Sequence, residues 1–205
     1  MNPRDLKRLT AGASALSSRA SGRLAEAARV DGLLDVAFGT VDSPLGALTL
    51  AVTRRGLVRL AFPEDELADV LDELAREVSP RILESAKATQ EARRELEEFF
   101  ESRRTRFDLP LDRRLIRGFA RDTLRATARI PFGRVKTYRE IAVAVGSPGA
   151  ARAVGNALAG NPIPIVIPCH RVVPAAGGVG NYGGGPQRKA ALLELEASVP
   201  RHRRT

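Results

Sequence analysis

Cysteine occurs once in the 205 residues, at position 169; tryptophan is absent, and histidine stands only at 170 and 202. A single thiol forbids an internal disulfide and any zinc site built on two or more thiolates, and two histidines cannot furnish a His-rich metal site. No apolar run approaches the ~20 residues of a membrane-spanning helix. Arg4, Lys7 and Arg8 are not followed by the apolar stretch of a secretory leader. No membrane association is expected, and the sparing use of cysteine reads as a reducing, cytoplasmic compartment.

Acidic residues are scarce in one half only. Residues 1–110 hold 17 Lys/Arg against 19 Asp/Glu, a balance of −2, whereas residues 111–205 hold 16 against 5, a balance of +11. The whole net charge of +9 therefore belongs to the second half. A basic half this lopsided favours a polyanionic partner, nucleic acid first and an anionic membrane surface second.

The chain divides into an N-terminal extension at 1–32, an α/β domain at 33–110, a second domain at 111–198 and a basic tail at 199–205. Within the extension, residues 6–16 could form an amphipathic helix. Residues 34–38, 47–52 and 57–62 alternate or run apolar between Ser-Pro-Leu-Gly and Arg-Arg-Gly turns, which predicts a β-meander. Residues 64–78 and 86–102 carry apolar residues at helical spacing. The boundary falls at Phe107-Asp108-Leu109-Pro110, where the charge balance changes. Residues 116–129 read as a helix broken by Ile130-Pro131-Phe132-Gly133. Thr137 and Glu140 match a capping box opening the next helix. Gly146-Ser147-Pro148-Gly149 separates that helix from a second one, 150–158, made mostly of alanine and glycine. Two short helices around a glycine turn suggest a helix-turn-helix, with Arg152 at the start of the recognition helix.

Prolines 162, 164 and 168 exclude a continuous helix and a central strand, so residues 161–168 are expected to be extended and rigid, delivering Cys169 and His170 to a fixed place. A thiol is a useful nucleophile only as thiolate, so Cys169 should have its pKa depressed by His170 and nearby positive groups. The glycine-rich stretch 177–185 lacks the Lys-Ser/Thr of a phosphate-binding loop and is better suited to close backbone approach to a flat ligand, with Tyr182 as one wall.

Pro168-Cys169-His170-Arg171-Val172-Val173, preceded by Asn161-Pro162, resembles the active-site signature of the O6-alkylguanine-DNA alkyltransferases, and the similarity runs from about Ile130 to Glu196. The resemblance implies an α/β protein: a ribonuclease H-like N-terminal domain with a small antiparallel sheet and flanking helices, then a mostly helical domain carrying the helix-turn-helix. It implies irreversible transfer of an alkyl group from O6 of guanine, and from O4 of thymine, in double-stranded DNA. Cys169 would accept the alkyl group, His170 would deprotonate it through a water, Glu196 would hold the imidazole, and Asn161 would bridge the helix-turn-helix to this segment. Tyr138 would hydrogen-bond the flipped base and Arg152 would fill the gap it leaves. Tyr182 would line the guanine pocket. Backbone groups at Cys169, Val172 and Gly183 would read the base edge, and Arg171 and Lys189 would stand with the base- and DNA-binding set. No cofactor and no metal are implied, and the expected state is a monomer, with cooperativity on DNA left open. Two other readings remain: a damage-binding protein without transfer, which the presence of Cys169 opposes, and a Cys-His hydrolase, which leaves the basic helix-turn-helix unexplained.

Overall fold

The computed structural model describes residues 33–199 together with Gly22, Arg23 and Ala27. Residues 6–16, which could form a helix, and the basic residues 201–204 lie outside the described residues. Among those described, no helix is long and apolar enough to cross a membrane.

The meander is present: β1 (Val36–Val41), β2 (Leu48–Thr53) and β3 (Gly56–Ala61) pair antiparallel in sequence order. Its turns are set by local chemistry. In the first, the Ser43 hydroxyl donates to Gly46 O at 2.7 Å and accepts from Leu45 N at 3.1 Å. In the second, Gly56 sits at φ +119°, and a Cβ there would lie 2.0 Å from Pro110 O. Only glycine allows the 108–112 connector to run against the sheet, where Leu57 N donates to Pro110 O and Asp112 N to Leu57 O, each at 2.9 Å. A fourth strand, β4 (Ile82–Glu84), adds parallel to β1 and makes the sheet mixed, in the order β3-β2-β1-β4. Three residues after a proline carry no readable period, so tertiary pairing, not pattern, creates this strand.

Both faces of the sheet are covered. Val36, Ala51, Val58 and Ala61 pack on Val70 and Leu74 of α1 (Leu67–Glu77). Leu48, Leu50, Leu57 and Leu60 meet Leu96 and Phe99 of α2 (Gln90–Phe100), and the same apolar cluster continues to Ile130, Ile141, Ile163, Ile167 and Leu192 of the second half. One core therefore spans both halves, and Leu60 N donates to Pro162 O at 2.8 Å across the junction.

The second half holds α3 (Phe119–Thr127), α4 (Tyr138–Ala144), α5 (Ala151–Ala159) and α6 (Pro186–Ser198). The capping box of α4 is complete: Glu140 N donates to Thr137 Oγ1 at 3.2 Å and Thr137 N to Glu140 Oε2 at 2.6 Å. Gly146, at φ +73°, turns the chain toward α5, whose buried residues are Val154 and Leu158. A two-residue parallel ladder, β5 (Lys136–Thr137) with β6 (Val172–Val173), fastens the start of the helix-turn-helix to the segment that follows the cysteine.

Residues 161–168 are not extended. They fold into a compact turn in which Val166 N donates to Pro164 O at 2.8 Å and Ile167 N to Ile163 O at 2.9 Å, then enter a short 3-10 helix, Cys169–Arg171. Prolines forbid helix and ladder but suit turns, and the Asn161 side chain closes this one by accepting from Ile163 N and donating to Ile167 O. Ile165, fully buried at φ +71°, sits in a region that costs a non-glycine residue about 1–3 kcal/mol, and the clamp around it supplies the restraint.

Candidate active site

Cys169 lies at the N-terminus of the 3-10 helix with 4% of its surface exposed. Asn161 Nδ2 donates to its Sγ at 3.1 Å. The expected depression of its pKa is not found: burial pushes the thiol up to about 11, against the smaller opposing pulls of Asn161, a backbone donor, Lys189 and Tyr182. His170 is not among the groups that lower it. At neutral pH Cys169 therefore rests as a thiol. Nucleophilic chemistry at its sulfur would need a base to take the proton.

His170, next in the chain, is the candidate for that base. It is fully buried, and burial lowers its pKa, so it is neutral near pH 7. Its Nε2 lies 2.8 Å from Glu196 Oε1. Burial pushes the Glu196 pKa up, but hydrogen bonds from His170 and Arg171 and the Arg171 charge outweigh it and lower it, so Glu196 is an ionised acceptor and Nε2 must carry the hydrogen. Nδ1 then presents a lone pair, and it has no hydrogen-bond partner among the described residues.

Arg171 behaves otherwise than the sequence suggested. It is 6% exposed, and its guanidinium is spent on the protein: Nε donates to both Glu196 oxygens at 3.0 and 3.1 Å, Nη2 to Glu196 Oε1 at 2.8 Å, and Nη1 to Ile130 O at 2.7 Å. It faces away from the cleft that Cys169 lines and borders a separate groove with Phe132 and Arg129. Val172 is likewise buried, and its carbonyl accepts from Lys189 Nζ at 2.6 Å. Lys189 is itself buried, reaches Asn181 O at 3.2 Å, and lies 5.7 Å from the centre of the Tyr138 ring, beneath the cleft rather than in it.

The other expected residues do converge. A cleft of about 480 Å³ is lined by Tyr138, Arg152, Gly155, Cys169, Tyr182 and Gly183, among others. Tyr138 enters from the first turn of α4 and its hydroxyl donates to Asn181 O at 3.4 Å. Arg152 is exposed on the first turn of α5. The Tyr182 hydroxyl is buried beside the thiol without a hydrogen bond of ordinary geometry, and burial raises its pKa well above that of a free phenol. Two contributors had no signal in the sequence. Gly133 N donates to Glu196 Oε2 at 2.7 Å, a backbone contact from the turn after α3. Phe62, just after β3, packs edge-on to Tyr182 with ring centres 5.8 Å apart, and in the sequence it is only the last residue of the 57–62 strand.

A helix-turn-helix whose second helix lines a cleft that reaches a buried cysteine, with a buried His-Glu pair following it in the chain, defines a DNA-binding type of fold with a thiol at its base. Residues 36–113 match the family model described as 6-O-methylguanine DNA methyltransferase, ribonuclease-like domain, and residues 118–198 match the model of that family's DNA binding domain. The methylated-DNA–protein-cysteine methyltransferase of Mycolicibacterium paratuberculosis is 42% identical over 163 residues, covering 78% of this chain and 92% of that protein. The constitutive enzyme of that name from Bacillus subtilis is 34% identical over 163 residues, covering 78% and 94%. The crystal structure of Mycobacterium tuberculosis O6-methylguanine methyltransferase superposes with a TM-score of 0.69 at 41% identity, covering 81% of this chain and 96% of that one. The M. tuberculosis OGT structure in complex with DNA gives 0.67 at 41%, covering 79% and 93%. The chain belongs to the 6-O-methylguanine DNA methyltransferase family.

Proposed function

We propose that this protein is a methylated-DNA–protein-cysteine methyltransferase that repairs double-stranded DNA by direct reversal, moving an alkyl group from O6 of guanine, and from O4 of thymine, to Cys169. The observation that carries the reading is a buried cysteine, held by Asn161, lining a cleft walled by α5, with the hydrogen-bonded His170–Glu196 pair next to it in the chain. O6 of guanine is inside the base stack, so the nucleotide must rotate out to reach a thiol this deep. Arg152, exposed on α5, would occupy the space the base vacates. Tyr138 and Tyr182 flank the base, and the exposed backbone of Gly183 meets its edge.

His170 Nδ1 takes the Cys169 proton through a bridging water, and Glu196 stabilises the imidazolium that forms. Sγ attacks the alkyl carbon in line; the S–C bond forms, the C–O6 bond breaks, and its electron pair remains on the base, which takes up a proton and is restored to guanine. Transfer thus consumes one thiol proton and one alkyl group per protein. A thioether does not hydrolyse readily, and the sequence holds no second cysteine to displace it, so each molecule acts once. The protein works as a monomer, without a cofactor.

Titrating the protein with a duplex carrying one O6-methylguanine tests this: restored guanine should plateau at one per protein, and Cys169→Ala should bind the duplex but restore none. Binding by the wild type with no restored guanine would favour damage recognition without transfer, and continued turnover on an ester would favour a hydrolase.

A further inference from the structure

Cys169 borders a second space besides the cleft, a chamber of about 110 Å³ lined by Phe62, Pro164, Cys169, Tyr182 and Gly184, with Arg59 and Asp65 at its outer side. The two spaces share the last turn of α5, Cys169, Tyr182 and Gly183 as lining, and only the chamber reaches residues of the N-terminal half. In an in-line displacement the base and the thiol occupy the two ends of the reaction axis, so any substituent on the transferred carbon must project sideways. The chamber adjoins the thiol and offers room for such a substituent.

Phe62 bounds it and is held firmly. Its backbone N donates to Asp65 Oδ2 and its carbonyl accepts from Asp65 N, each at 3.0 Å. One face of its ring lies under Arg188, whose Cζ is 5.3 Å from the ring centre. Arg188 in turn ties the two halves together, donating to Leu45 O at 3.0 Å, to Gly184 O at 2.9 Å and to Glu64 at 2.7 Å. The ring also lies so close to Gly184 that a Cβ there would meet Phe62 Cε2 at 2.7 Å, although Gly184 does not have a left-handed φ. Glycine at 184 is therefore required by the ring's approach rather than by backbone conformation.

We infer that Phe62, contributed by the N-terminal half, is a specificity-determining residue that sets the size of the alkyl group Cys169 accepts. The inference rests on the alkyl-transfer reading above. A methyl group is about the size of a water molecule and fits the chamber, whereas a benzyl ring competes with Phe62 for it.

The test is single-turnover transfer from duplexes carrying O6-methylguanine or O6-benzylguanine, by the wild type, Phe62→Leu and Phe62→Ala. The benzyl-to-methyl rate ratio should rise by about tenfold or more in Phe62→Ala, with Phe62→Leu between it and the wild type, as expected when a pocket wall is cut back by several carbons. Leucine keeps an apolar side chain of similar length and guards against misfolding of the alanine variant. A common slowing on both substrates with an unchanged ratio would overturn the inference and leave Phe62 as packing alone. Wild-type protein that transfers neither group would remove the alkyl-transfer reading itself, and this one with it.

Discussion

Arg171→Leu separates a residue that holds the site together from one that touches DNA. The wild-type guanidinium is buried, makes three contacts with the Glu196 carboxylate and donates to Ile130 O. Removing it leaves a buried carboxylate without its cation and a backbone carbonyl without a donor. Breaking a buried pair in this way costs about 3–5 kcal/mol. For a domain of this size each kcal/mol moves the melting temperature by roughly 2–4 °C, so Tm should fall by about 10 °C in circular dichroism melts. Arg171→Lys keeps the charge but not the planar fork and should fall between. Combining Arg171→Leu with Glu196→Gln removes the orphaned charge and should recover more than half of the lost stability, without restoring alkyl transfer, because the carboxylate beside His170 is gone. Affinity for undamaged duplex, read by fluorescence anisotropy below the melting range, should be unchanged in Arg171→Leu. A Tm change under about 2 °C together with weakened DNA binding would refute this account and return Arg171 to the DNA-contacting role its sequence context suggests.

Asn161→Ala loses the donor to Cys169 Sγ and to Ile167 O and orphans Ile163 N, so it should lose about 2–3 kcal/mol in denaturant melts and slow transfer as well; retention of full rate would remove Asn161 from the reacting group. Arg152→Ala should slow transfer from intact duplex much more than from free O6-benzylguanine, and an equal loss on both would exclude a role in extrusion. Stability should fall on acidification in two stages. The His170 pKa is lowered from 6.5 by burial, so its contribution is complete above pH 6.5 and is lost as pH falls through its folded value. The Glu196 pKa is lowered from 4.5, so its contribution is complete above 4.5 and disappears further down. Tm measured against pH should show the first stage in the wild type and not in His170→Gln; an identical profile in both would place the buried histidine outside the linkage.

The sequence made the site more legible than the fold around it. Asn161, Cys169 and His170 stand in a short signature and Glu196 farther along the chain, and the structure joins them as two hydrogen-bonded pairs, Asn161 with Cys169 and His170 with Glu196. The capping box at Thr137 and Glu140 was equally readable, because its chemistry is local. What escaped depends on tertiary context. The strand Ile82–Glu84 exists only because β1 offers an edge to it. The segment 161–168 curls because Asn161 links its two ends, whereas the prolines by themselves say only what it is not. Proximity of His170 and Arg171 in sequence suggested a depressed thiol pKa, but both side chains are committed to Glu196, and burial decides the thiol's titration instead. Phe62 and Gly133 contribute from elements distant in sequence, one by an aromatic edge and one by a backbone N–H, and neither kind of contact leaves a trace in residue pattern.

The central claim is that Cys169 itself receives the alkyl group. Intact-mass measurement after reaction with a duplex carrying one O6-methylguanine tests it most directly. The account predicts a gain of about one methylene (~14 Da), saturating at one per protein and mapping to the peptide that contains Cys169. An unchanged mass in protein that binds the same duplex tightly, or a gain mapping elsewhere, would contradict it.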